Sequence, residues 1–78
     1  MHRILRLTFR ALVSDPRAQE FLAMQKLEVL SQDRGCGGRL TVRVRIAGLA
    51  DDASLTGYFI YFFPELIASA NVEYVLTQ

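Results

Sequence analysis

Reactive side chains are scarce in this 78-residue chain, which holds one cysteine, Cys36, and one histidine, His2. Cys36 lies in the segment Arg34-Gly35-Cys36-Gly37-Gly38-Arg39. Successive N–H groups in a glycine loop can form a nest for an anion, and flanking guanidinium groups would draw a thiol toward thiolate. The segment lacks the Lys-Ser/Thr ending of a phosphate-binding loop, and no histidine is near in sequence to act as a base. Gly35, Cys36, Gly37 and Gly38 are therefore candidates for an anion nest or reactive thiol, against the plainer reading of a flexible turn with an incidental thiol.

Asp51-Asp52 is the second arrangement. Adjacent carboxylates in a bend can hold a divalent cation for phosphoryl transfer, but that chemistry wants a third carboxylate and a basic cluster for the nucleotide. The pair reads more simply as a solvated turn or helix cap. One cysteine and one histidine also exclude a disulfide framework and any multi-ligand zinc site. No catalytic residue, metal or cofactor is assigned, and the chain is expected to bind rather than to catalyse.

Binding is where the composition is informative. Eight of the nine basic residues are arginine, the exception being Lys26. Arginine pairs with planar oxyanions and is enriched at protein interfaces, where lysine is depleted. A net charge of +1 and a pI near 7.9 are too mild for a general polyanion binder, whose pI usually exceeds ~9. Hydrophobic residues make up 51% of the chain and the mean hydropathy is +0.21, which excludes a polar disordered chain. No run reaches the ~18 apolar residues of a membrane span.

The elements that would position these residues follow from periodicity. From His2 to Val13, Leu5, Leu7, Phe9, Ala11 and Val13 alternate with Arg6, Thr8 and Arg10, which predicts a strand. The competing pattern is a helix with Arg3, Arg6, Arg10 and Arg17 on one side, as in organelle transit peptides and membrane-surface helices. Ser14-Asp15-Pro16 predicts a helix start. That helix is expected to reach Gln32, since no breaker intervenes; the alternative stops it near Gln25 and makes Leu27–Leu30 a short strand. Met24 is read as ordinary helix packing. Gly35–Gly38 breaks the chain, and Arg39–Ile46 alternates as a strand. Gly57-Tyr58-Phe59-Ile60-Tyr61-Phe62-Phe63-Pro64 reads as a strand apolar on both faces, followed by a short helix over Glu65–Ala70 and a last strand over Val72–Thr77.

This order predicts an α+β fold, a ferredoxin-like βαββαβ two-layer sandwich forming one small domain over residues 1–78. It has a four-stranded antiparallel sheet with one longer and one short helix, and the first and third strands are central. The open sheet face would then carry Phe59, Tyr61 and Phe63 flanked by Arg6, Arg10, Arg43 and Arg45, with Glu73 neutralising part of the charge. So little chain cannot cover both faces of such a strand. The expected function is a protein-interaction module, an accessory subunit or small inhibitor, whose partner is another protein or its own copy in a homodimer. A single-stranded nucleic-acid binder using the same face is the alternative. A dimeric barrel enclosing a small ligand between two sheets is a third reading. A cytoplasmic location is expected, with organelle targeting by the basic N-terminus as the other option.

Overall fold

Alternation decides the first element. In a computed structural model of the chain, β1 (His2–Phe9) turns Leu5, Leu7 and Phe9 fully inward, while Arg6 on the other face is exposed and Thr8 half-buried. The strand reading thus holds as far as Phe9, and the one-sided arginine helix does not form. Beyond Phe9, residues 11–12 turn and leave Ala11 exposed rather than inward. The structure describes residues 2–48 and 51–76, with the side chains of all of these except 2, 36 and 74–76.

The helix α1 (Asp15–Met24) starts where its signals place it, with the Ser14 hydroxyl oxygen accepting from the Arg17 N–H at 3.4 Å and proline in the first turn. It ends well before Gln32. Lys26 takes a left-handed backbone (φ 56°), its N–H donates to the Ala23 carbonyl, and the Leu27 N–H donates back to the Leu22 carbonyl at 3.2 Å. This is a Schellman closure, which satisfies carbonyls that the helix end would otherwise leave bare. Glycine usually supplies the left-handed residue, so a lysine there gives no sequence signal. The following residues form β2 (Glu28–Arg34), and the short-strand alternative for Leu27–Leu30 was nearer to the structure than the long helix.

β3 (Leu40–Ala47) alternates as expected, with Leu40, Val42 and Val44 buried. The aromatic segment does not form a strand. It is the body of α2 (Asp52–Phe62), capped by the Asp51 carboxylate, which accepts from the Ser54 N–H at 2.8 Å. Leu55, Phe59 and Phe63 follow at helical i, i+4 steps and pack into the core. A run apolar at nearly every position shows neither period, so the segment's shortness and its flanking Gly57 and Pro64 suggested a strand. After a turn at 64–66, β4 (Ile67–Leu76) takes the place of the short helix expected over Glu65–Ala70, with Ile67 and Ala70 buried. The class is as read, but several of its elements fall on different segments, and the helices are nearly equal at 10 and 11 residues.

All pairings are antiparallel, and the sheet order is β2-β3-β1-β4. Both helices cover one face. Phe21 on α1 joins the layers, meeting Phe63 edge-on at 4.8 Å, Phe9 at 5.9 Å and Phe59 at 6.3 Å between ring centroids. Arg34 at the end of β2 bonds to Asp15 at the start of α1, and Gln19 Nε2 donates to Gln32 Oε1 at 2.6 Å. These contacts fasten the edge strand to the helix above it.

Candidate interaction surfaces

The open sheet face can be read from its register as rows of side chains running across the strands. One row runs Asn71, Arg6, Arg43, Ser31, and the next runs Ser69, Thr8, Thr41, Asp33. Arg6, Thr8, Ser31, Asp33, Thr41 and Arg43 line a hollow of about 370 Å³. Arg6 and Arg43 stand directly opposite each other, an arrangement that costs stability unless charge is supplied from elsewhere. Glu73 supplies part of it, its Oε1 accepting from Arg43 Nε at 2.7 Å, as its place beside β1 suggested. Arg45 lies 3.5 Å from Glu28. Arg6, Arg43 and Arg45 therefore share the face expected of them.

Arg10 does not join them. It lies beyond β1, where its side chain donates to the Pro64 carbonyl and its N–H to that of Leu66, pinning the turn before β4. Phe59, Tyr61 and Phe63 are absent from the sheet. On a helix, Phe59 and Phe63 share one side and Tyr61 points another way. Phe59 is buried in the core, Phe63 is half-buried against Phe21, and Tyr61 is 82% exposed. The arginine and aromatic halves of the expected face thus lie on opposite sides of the molecule.

The aromatic half has its own surface. Tyr58, Tyr61 and Phe62 follow the i, i+3, i+4 spacing of one helix side, and Phe62 is 70% exposed. The Tyr58 and Phe62 rings lie 5.4 Å apart, while the Tyr58 hydroxyl donates to Gln25 Oε1 at 3.2 Å, linking the stripe to the end of α1. Met24 on that end is 73% exposed, so it belongs to the surface rather than to helix packing. Tyr58 and Phe62 were missed because their common side appears only once residues 52–62 are read as a helix, and Met24 because a helix running on to Gln32 would place it mid-helix rather than at an end. A shallow groove bordered by Met24, Phe21 and Phe63 shares with the stripe Gln25, the partner of Tyr58, and has Arg17, Glu20 and Glu65 in its lining.

The glycine loop is largely occupied with itself. Gly35 N–H donates to the Arg39 carbonyl at 3.0 Å, Gly38 N–H to the Gly35 carbonyl at 3.2 Å, and Arg34 bonds to both the Gly38 carbonyl and Asp15. Gly37 and Gly38 hold positive φ values of 80° and 74°, which explains the glycines. The loop's internal bonds take up two of the amides a nest would offer, and the Cys36 side chain lies outside the described ones. The acidic pair is structural. Asp51 caps α2, and Asp52 meets the mostly buried Arg3 guanidinium at 3.3 Å. Hydrogen bonds from Ser54, first its side chain and then its backbone, hold the Asp51 carboxyl below the ordinary carboxylate range, with a smaller contribution from Arg3. Among the described residues no cluster of three His, Cys, Asp or Glu side chains can hold a metal ion, and no helix is long and apolar enough to cross a membrane.

Compared with family models, with curated proteins and with solved structures, the chain matches none.

Proposed function

We propose that this chain is a protein-interaction module without catalysis of its own, docking through the outer side of α2. One observation carries the reading: Tyr58, Tyr61 and Phe62 stay exposed together on a helix that already gives Leu55, Phe59 and Phe63 to the core. A helix apolar all round ordinarily has cover all round. At about 200 Å² per ring, the bare aromatic surface comes to roughly 400 Å², within the ~300–600 Å² of the largest patch on a typical monomer, which is often a functional one. Tyrosine and phenylalanine are also the side chains that interfaces favour.

A second copy is the first partner to test, because it brings the same exposed Tyr58, Tyr61 and Phe62. Covering ~400 Å² on one molecule is worth about 10 kcal/mol at ~25 cal/mol per Å², comparable to the 4–15 kcal/mol that association costs. A partner bringing an equal apolar area of its own, as a second copy does, doubles that gain. The test is light scattering on the purified chain and on the variant carrying Tyr61→Asp and Phe62→Asp. A dimer that the variant turns into a folded monomer supports the reading. A wild-type monomer no less soluble than the variant would contradict it.

A further inference from the structure

Charges on the open sheet face leave one cation and one anion over. Arg43 is joined to Glu73 and Arg45 to Glu28, whereas Arg6 and Asp33 have neither an ion pair nor a hydrogen bond among the described residues. They stand at diagonal corners of the same hollow, with Thr41 and the Glu73-paired Arg43 on β3 between them and Thr8 and Ser31 at the other two corners. β3 separates their strands, so they are two strand spacings, about 10 Å, apart across the sheet. Folding gains little from either. Arg6 lies opposite a like charge on a central strand, where a neutral β-branched residue would pack better.

We propose that this hollow binds a small zwitterion, with its carboxylate on Arg6 and its ammonium on Asp33. The planar fork of a guanidinium suits a carboxylate, and the hydroxyls of Thr8, Thr41 and Ser31 can donate or accept along a polar ligand lying between the two charged corners. The Thr8 and Thr41 hydroxyl oxygens are 3.4 Å apart, a weak mutual bond that leaves both free to turn toward a ligand. The local sum of charge selects against a simple anion. Arg6, Arg43 and Arg45 are balanced by Glu28, Asp33 and Glu73, so a phosphate would gain from Arg6 but be repelled by Asp33. A ligand carrying both charges meets each charged corner with its complement. The site lies on the face away from α2 and does not depend on the docking surface proposed above.

The experiment is an NMR titration of the purified chain with glycine, β-alanine and 4-aminobutanoate, whose charges are progressively farther apart. Acetate, methylammonium and inorganic phosphate serve as comparisons. One of the zwitterions is expected to saturate shifts at the amides of Arg6, Ser31, Asp33 and Thr41, binding at least about tenfold more tightly than acetate. Asp33→Asn should reduce that zwitterion to the level of acetate without weakening acetate itself, and Arg6→Gln should weaken both. Both side chains are exposed, so the variants keep the fold. No saturable shift at these amides, acetate or phosphate binding as tightly as every zwitterion, or either variant binding like the wild type would overturn the proposal.

Discussion

Phe59 and Tyr61 are two positions apart and face opposite fates. Phe59 is 3% exposed, against Phe21 in the core with the exposed Tyr58 at its edge, and Tyr61 stands mostly in solvent. Truncating Phe59 to alanine should cost about 3–5 kcal/mol in urea unfolding, while Tyr61→Ala should stay within ~0.5 kcal/mol in the monomer. Equal costs would mean the two rings share one environment. Gly57 offers a gain instead. Its added Cβ would meet the Tyr61 ring at 3.5 Å, an ordinary contact, so Gly57→Ala should stabilise α2 by about 0.5–1 kcal/mol. Asp51 supplies a pH signature. Its folded carboxyl titrates below its unfolded value, so its contribution to α2 is complete above the unfolded value and is lost as pH falls through the folded one. Replacing Asp51 with Asn, which keeps a capping oxygen without the charge, should flatten the acid side of the stability curve below about pH 4.

At the level of elements, the signals that could be read from sequence were those with a period or a cap. β3 alternates throughout and β1 from Leu5 to Phe9, and Ser14-Asp15-Pro16 starts α1 where it should. Two causes hid the rest. The end of α1 is set by Lys26, a residue of good helix propensity placed in a left-handed conformation by the hydrogen bonds around it. The segment 55–63 is apolar on nearly every side, so its helical stripe of Leu55, Phe59 and Phe63 was not separable from the exposed Tyr58, Tyr61 and Phe62. Those two misreadings offset each other. A strand taken from 57–63 returned at 28–34, and a helix taken from 65–70 returned at 52–62, so the element order survived. The account of α1 is testable directly. Lys26→Gly should stabilise the protein by about 0.5–1 kcal/mol, because glycine adopts positive φ without steric penalty. A loss of stability on that change would show that the lysine side chain, and not the turn, matters there.

The whole molecule separates two surfaces that sequence alone had merged. On one side, arginines, hydroxyls and carboxylates lie in register over the open sheet. On the other, the aromatic outer side of α2 joins Met24 at the end of α1. The Arg43–Glu73 bridge over β1 belongs to the first surface and is partly exposed, so Glu73→Gln should cost at most about 1 kcal/mol, and less as salt is added. The docking account belongs to the second, and its most direct test is a concentration series of NMR spectra on the purified chain. The account predicts changes with concentration that concentrate at Tyr58, Tyr61, Phe62 and Met24 while Arg6, Thr41 and Arg43 stay still. Spectra that do not change, or that change on the sheet face instead, would contradict it.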